Sequence, residues 1–143
     1  MRPYFLYLDD ARDPFNSKVK WPERVYSLEP VIVRNYTEFI EKLQLYGLPE
    51  IVSFDFDLCT EHYRCGSLAR FQSLAHYRTL KDTGAGCAKF LIDYCKKHKK
   101  SLPVYYCHSA NSAGRQYILK LLNDFKAIQE KELKKEVNQD GKD

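Results

Sequence analysis

Two pairs of acidic residues each follow a short apolar run of the chain. Asp9 and Asp10 come directly after the first run, and Asp55 with Asp57 follows a later one. Carboxylates gathered in one pocket repel one another and raise each other's pKa unless a positive charge lies between them. Oxygen ligands of this kind favour Mg²⁺ or Mn²⁺. The pattern therefore predicts a divalent-cation site with Asp9, Asp10 and Asp55 as ligands.

A histidine and a hydroxyl follow another apolar run. His108 and Ser109 come directly after residues 102–107. Because imidazole ordinarily titrates near neutrality, it suits proton transfer to a departing oxygen. We predict His108 as the proton donor, Asp57 as the residue that orients an attacking water, and Asp55 as a catalytic residue shared with the cation. Residues suited to binding phosphate oxygens complete the predicted site, namely Arg12, Ser109, Asn111 and Arg115.

Each of these groups also has a structural interpretation. An acidic pair after a strand often forms a turn or a helix cap, although a second such pair favours a site. His108 alone is more typical of a hydrogen-bonded structural histidine than of a catalytic one, and its position at a strand end makes the two interpretations equally good. Ser109 and Asn111 can cap the helix that follows them, and capping is compatible with anion binding. Arg12 and Arg115 can equally form surface ion pairs.

Apolar runs alternate with helical periodicity along the chain. Short strands are predicted at 4–8, 31–33, 51–54 and 102–107. Helices are predicted at 39–46, 83–100 and from 112 onwards, the first with a capping box of Asn35 and Glu38. This alternation predicts an α/β fold with a short, mostly parallel sheet of about four strands and helices on both faces, in three α/β/α layers. Ligands of such sheets bind beyond the carboxyl ends of the strands, where the polar groups collect.

Residues 58–82 form the least regular stretch, which is long enough to predict a lid or binding loop with a short helix at 68–74. We expect its polar groups to close over the substrate, in particular His62, Arg64 and His76. The same stretch also holds four soft groups at spacings that zinc sites use: Cys59, His62, Cys65 and His76. A zinc-stabilised structural domain is therefore a further alternative.

Length and composition favour one packed domain. The chain has 143 residues, 44% of them hydrophobic, which predicts a single domain over 1–128 and a charged, frayed tail over 129–143. No apolar run approaches the roughly 20 residues of a membrane helix, so we expect neither membrane insertion nor secretion. Five cysteines without a paired framework predict reduced thiols in a cytoplasm, that of a bacterium or of a virus-infected bacterial cell. A net charge of +4 suits a phosphate-bearing ligand and is too weak to predict binding of duplex DNA.

Four segments of the chain resemble, in order, the signature motifs of the cyclic-phosphate-processing receiver-like family. They are LDDARDP (Leu8–Pro14), SFDFDL (Ser53–Leu58), KDTGAGCAKFL (Lys81–Leu91) and HSANSAGR (His108–Arg115). The resemblance implies a receiver-like, flavodoxin-like fold and an activity on nucleotide- or RNA-derived cyclic phosphates. The chain departs from the family at two positions. Phe56 stands where the family usually has histidine, and Ser112 stands where it usually has proline. If the family's histidine performs the acid–base step, this chain lacks the residue for it.

These observations together predict a metal-assisted phosphoesterase or cyclic phosphodiesterase whose partner is a small nucleotide or an RNA-end cyclic phosphate. One alternative is a nucleotide-sequestering module without catalysis. Another is a degenerate receiver, in which Asp9 and Asp10 hold Mg²⁺, Asp55 accepts phosphate and Ser109 supplies the hydroxyl. Receivers have a fifth strand bearing a lysine, and the sequence offers no evident counterpart, which favours the enzyme. The oligomeric state stays open.

Overall fold

The computed structural model describes residues 2–16, 18–58 and 83–140. The elements run in the order β1 (Tyr4–Leu8), a 3₁₀ helix (Glu23–Ser27), β2 (Glu29–Val33), α1 (Tyr36–Tyr46), β3 (Ile51–Phe54), α2 (Gly84–His98), β4 (Val104–Cys107) and α3 (Ser112–Asp140). No helix in these described ranges has the length and apolar character needed to cross a membrane.

The four strands form one parallel sheet in the order β2-β1-β3-β4. The predicted receiver-like α/β fold with about four strands is confirmed. In sheets of this order the chain leaves β1 and β3 towards opposite sides, so their carboxyl ends flank a crevice where ligands bind. One row of the register runs Leu8, Phe54 and Cys107 across β1, β3 and β4. The residues that follow this row, Asp9, Asp55 and His108, therefore lie at the same height at one edge of the sheet.

The two faces of the sheet are covered differently. One face presents Tyr4, Leu6 and Leu8 of β1 to a buried core that includes residues of α1, α2 and α3. The other face presents Phe5 and Tyr7, which pack against Trp21, Val25 and Leu28. Helices were expected on both faces, and the described part of the second face carries a 3₁₀ helix and its flanking loops. Two prolines disfavour a longer helix in this segment, because neither Pro14 nor Pro22 has an N–H to donate.

The helix starts follow the sequence signals. The side chain of Asn35 accepts a hydrogen bond from the backbone N–H of Glu38 at 2.9 Å, which confirms the predicted cap of α1. Thr83 caps α2 by accepting from the N–H of Ala85 at 3.2 Å. Helix α2 ends at His98, and its C-cap residue Lys99 adopts the left-handed conformation with φ 52°.

Several boundaries differ from those predicted, among them the start of α1 at Tyr36 instead of residue 39. Strand β4 begins at Val104 instead of residue 102, because Pro103 has no N–H to donate. Strand β2 begins at Glu29 and includes Pro30, which is tolerated because β2 lies at the edge of the sheet. Helix α3 continues to Asp140, although a frayed tail was predicted from residue 129. Lysine and glutamate dominate this extension, and both are strong helix formers even where the side chains are exposed.

Candidate functional site

Three carboxylates meet at the carboxyl ends of β1 and β3. One oxygen each of Asp9, Asp10 and Asp55 lies within 4.8 Å of the other two. Asp9 and Asp55 are buried, and Asp10 is partly exposed. The backbone fixes this grouping, because the N–H of Asp55 donates to the carbonyl of Leu8 at 2.9 Å and continues the pairing of the two strands. The predicted metal ligands are thus brought together.

Asp9 is held by five hydrogen bonds. Its Oδ1 accepts from the backbone N–H groups of Ala11 at 2.9 Å and Arg12 at 2.8 Å. Its Oδ2 accepts from Nε of Arg12 at 2.9 Å and from the hydroxyl of Tyr7 at 3.3 Å, and it lies 3.1 Å from Nε2 of His108. Burial alone would raise the pKa of Asp9, but these bonds and the charge of Arg12 together hold it well below its usual range. Asp9 is therefore ionised at neutral pH.

Asp55 has the opposite electrostatics. Burial and the neighbouring charge of Asp9 raise the pKa of Asp55 to about 7, against the opposing effects of Arg12 and of a hydrogen bond with Ser109. The carboxylates of the pocket thus carry more negative charge than the guanidinium of Arg12 neutralises. Deprotonated Asp55 needs a further positive charge nearby.

The donor set fits a divalent cation. The three groups offer hard carboxylate oxygens, two of them on adjacent residues, at separations that one ion can bridge. The raised pKa of Asp55 is the response expected of a carboxyl group placed beside other carboxylates. The residues present therefore suit Mg²⁺ or Mn²⁺, as predicted from the sequence.

Arg12 lies at the rim of this pocket. Its Nη2 is 3.8 Å from Oδ1 of Asp55, while its Nε is bonded to Asp9. The side chain is 45% exposed, so an anion from solution can reach the guanidinium. Its binding of a phosphate oxygen stays a prediction.

His108 lies under the pocket and not at its surface. Its side chain is 4% exposed, and its ring stacks on Tyr7 with 4.4 Å between ring centroids. Nδ1 is 2.7 Å from Oγ of Ser53, and Nε2 faces Asp9. Burial, which outweighs the attraction of Asp9, lowers the pKa of His108. A neutral ring satisfies both contacts when Nε2–H donates to the ionised Asp9 and Nδ1 accepts from the Ser53 hydroxyl.

The turn after β4 contributes a hydroxyl to the carboxylate pocket. Ser109 is buried, and its side chain opposes the rise in the pKa of the neighbouring Asp55 carboxyl. Its Oγ also accepts from the N–H of Asn111 at 3.1 Å. Nη1 of Arg115 donates to the carbonyl of Ser109 at 3.2 Å. Ser109 therefore belongs to the pocket, and Arg115 supports the turn that positions it.

Asn111 and Asp57 form a second polar group beside the pocket. Oδ1 of Asn111 accepts from the N–H of Gly114 at 2.9 Å, which confirms that Asn111 caps α3. Its Nδ2 lies 3.4 Å from Oδ2 of Asp57. Asp57 also pairs with Thr83 through an isolated backbone bridge. Asp57 is not among the three carboxylates whose oxygens converge.

Phe56 has a packing role. Its side chain is fully buried in the helix-covered core. A Cβ atom added at Gly114 would lie only 2.2 Å from Cγ of Phe56. The Phe56 ring therefore packs directly against the backbone of α3 at Gly114. The residue that replaces the usual histidine of the family is thus part of the core in this chain.

Several predicted groups fall on residues 59–82, outside the described ranges. They are the substrate contacts His62, Arg64 and His76, the short helix at 68–74, and the zinc alternative with Cys59 and Cys65.

Arg34 is a site residue that sequence reasoning missed. It donates from Nη1 to the carbonyls of Asp9 at 3.1 Å and Arg12 at 2.7 Å, and from Nη2 to Oδ1 of Asp13 at 2.6 Å. These bonds fasten the turn that carries Asp9, Asp10 and Arg12. Its sequence signal was available, because Arg34 directly follows β2 and so lies at the same edge of the sheet.

A parallel α/β sheet in the order β2-β1-β3-β4, with an acidic pocket at its carboxyl edge, is consistent with the receiver-like class of domains. Within that class, the chain belongs to the family described as the cyclic-phosphate processing receiver domain, whose sequence model matches residues 4–124. The resemblance found in the four motifs is therefore confirmed. Searches of curated proteins and of solved structures found no match.

Proposed function

We propose that the pocket is a divalent-cation-assisted phosphoesterase site that opens a nucleotide- or RNA-derived cyclic phosphate. The observation that carries this proposal is the convergence of three carboxylate oxygens within 4.8 Å, with the exposed guanidinium of Arg12 beside them. Carboxylates for a cation and an arginine for a phosphate are the parts that phosphoryl chemistry requires. The family description, which refers to cyclic-phosphate processing, supports the same assignment.

Asp9, Asp10 and Asp55 would hold the cation. When bound, a divalent cation supplies charge neutralisation at the phosphoryl oxygens and lowers the pKa of a coordinated water. His108 and Tyr7 keep Asp9 ionised and oriented through their hydrogen bonds to its Oδ2.

The other polar groups act on the substrate and the water. Arg12 and the Ser109 hydroxyl would bind the phosphoryl oxygens, with Arg115 and Asn111 holding the turn that carries Ser109. In the reaction a bond forms between water oxygen and phosphorus, and the bond from phosphorus to one ribose oxygen breaks. Asp57 would accept the proton of the attacking water, and the departing oxygen would take up a proton, which leaves a phosphomonoester.

Proton donation by His108 remains part of the proposal, but it requires His108 to release one of its two hydrogen bonds. Both ring nitrogens are engaged, so Nε2–H reaches the departing oxygen only when its bond to Asp9 is released. A positioning role for His108 needs no such rearrangement.

Phosphorus NMR tests the proposal directly. Adenosine 2′,3′-cyclic phosphate is incubated with the protein and Mg²⁺ or Mn²⁺, and we expect a monoester signal that disappears with chelator. Asp10→Asn should abolish turnover, whereas Asp93→Asn, which changes an exposed carboxylate on α2, should leave it intact. Turnover that survives both chelator and Asp10→Asn, or no turnover of any cyclic phosphate, would contradict the proposal.

A second candidate is phosphorylation of Asp55, as in signalling receivers. The nearness of Asp55 after β3 to Ser109 after β4 favours it, because a carboxylate and a hydroxyl then lie at adjacent strand ends. Incubation with acetyl phosphate would then add one phosphoryl group to the protein mass, and Asp55→Asn would prevent the addition. Saturable nucleotide binding without any product would instead indicate the sequestering alternative.

A further inference from the structure

An exposed pair of aromatic rings lies on the loop that begins at the carboxylate pocket. Phe15 and Tyr26 stack with 5.6 Å between ring centroids and 30° between ring planes. They are 47% and 58% exposed, so the stacked pair offers a wide apolar surface to solvent. Neither ring belongs to the buried cores on the two faces of the sheet.

Hydrogen bonds from Trp21 hold the backbone next to Phe15 and the hydroxyl of Tyr26. Nε1 of Trp21 donates to the carbonyl of Pro14, the neighbour of Phe15, at 2.8 Å. The backbone N–H of Trp21 donates to the hydroxyl of Tyr26 at 3.3 Å. Trp21 is itself buried against Phe5 and Tyr7. The segments that carry the exposed pair are thus anchored to the buried side chain and backbone of Trp21.

The same tryptophan connects the pair to the pocket. Its ring lies edge-on to His108, with 6.1 Å between ring centroids, and His108 holds Asp9. Along the chain, Phe15 is three residues after Arg12, so their Cα atoms lie within about 11 Å. The reach of a nucleotide from its phosphate to its base is of this order. Phe15 therefore lies within about a nucleotide's length of the arginine that would bind the phosphate.

We infer that Phe15 and Tyr26 form a stacking platform for the nucleobase of the substrate, while its phosphate occupies the carboxylate pocket at Arg12. This inference rests on the proposed function and narrows it, because it selects nucleoside phosphates over small cyclic phosphates without a base. Stacking accepts any base, since every base has a π-face. The platform accordingly predicts nucleotide preference without strong base selectivity.

Binding measurements test the platform without relying on turnover. Affinities for adenosine 3′-monophosphate and ribose 5-phosphate are measured by calorimetry in the presence of Mg²⁺. We expect the wild-type protein to bind the nucleotide at least about fivefold more tightly, the lower end of what base–aromatic stacking contributes. Phe15→Ala and Tyr26→Ala should remove that preference and leave ribose 5-phosphate binding unchanged. Phe15→Trp should keep it, as should Leu45→Ala, which changes an exposed apolar residue on α1.

The outcomes separate this inference from the proposed function. A wild-type protein that binds both compounds equally, or alanine variants that retain the preference, would overturn the platform. Hydrolysis of a cyclic phosphate in those circumstances would leave the proposed function standing. Binding of neither compound would overturn the platform, and absence of turnover in the separate NMR assay would overturn the proposed function.

Discussion

His108 and Asp9 lie 99 positions apart in the chain and meet through a contact of 3.1 Å between Nε2 and Oδ2. Their strands are not neighbours, because β3 lies between β1 and β4. The ring of His108 spans this gap and contacts Ser53 of β3 with its other nitrogen. One imidazole thus connects the ends of three strands and fixes the carboxylate that the cation would use. This arrangement resembles the support that metal ligands commonly receive from neighbouring groups.

Substitution of His108 separates a positioning role from proton donation. His108→Ala removes the partner of Asp9 Oδ2, and we expect affinity for Mn²⁺ to fall about 10- to 100-fold. His108→Gln offers an amide N–H to Asp9 but no titratable group. We expect it to retain most of the Mn²⁺ affinity and, if His108 is the acid, to lose turnover. Calorimetric titration with Mn²⁺ and NMR turnover measure the two effects, and unchanged Mn²⁺ affinity in His108→Ala would rule out positioning.

The raised pKa of Asp55 predicts how stability depends on pH. Between its ordinary pKa of 3.8 and about 7, Asp55 keeps its proton in the folded metal-free protein but loses it in the unfolded chain. The folded state therefore binds more protons, and the contribution of Asp55 to the free energy of unfolding falls as pH rises, by at most about 1.4 kcal/mol per pH unit.

Urea unfolding in chelator from pH 4 to pH 8 measures this contribution. The free energy of unfolding of Asp55→Asn should change less across that pH window than that of the wild-type protein. At the upper end of the window the variant should be the more stable of the two, relative to their difference at pH 4. Asp93→Asn, the exposed control, should follow the wild-type curve. Parallel curves for Asp55→Asn and wild type would show that the carboxyl of Asp55 is not perturbed.

Arg34 should matter more than its distance from the chemistry suggests. Its bonds to the carbonyls of Asp9 and Arg12 hold the turn of the cation site. We expect Arg34→Ala to lower the free energy of unfolding by about 1–3 kcal/mol and to weaken Mn²⁺ binding. Arg24 is a matched control, because it forms a similar two-bond pair with Glu50 at the opposite end of the sheet. Arg24→Ala should have little effect on the free energy of unfolding, because its ion pair is exposed to solvent, and should leave Mn²⁺ binding unchanged.

The sequence predicted the site because the end of each apolar run predicts the end of a strand. Once β1, β3 and β4 are parallel, the residues after them must share an edge, which places Asp9, Asp55 and His108 together. The same rule applied to β2 would have identified Arg34.

The direction and burial of side chains could not be predicted from the apolar runs. Whether His108 faces solvent or Ser53 depends on the register of β3 against β4, and no local pattern specifies that register. The layer over Phe5 and Tyr7 was missed for a related reason, because an apolar run looks alike whether a helix or a loop covers it.

Phe56 provides the last prediction, because it tests whether the usual histidine of the family could act at this position. The ring is fully buried and lies against Gly114 at the start of α3, where a Cβ atom would approach Cγ to 2.2 Å. An imidazole introduced there would replace core contacts and leave polar nitrogens to be satisfied in the core, so Phe56→His should lower the free energy of unfolding by about 1–3 kcal/mol. Turnover should not rise, since the side chain points into the core and not towards the three carboxylates. Phe56→Leu controls for the loss of packing alone. Higher kcat in Phe56→His than in both wild type and Phe56→Leu, together with a new ionisation in the pH profile, would instead show that position 56 can reach the substrate.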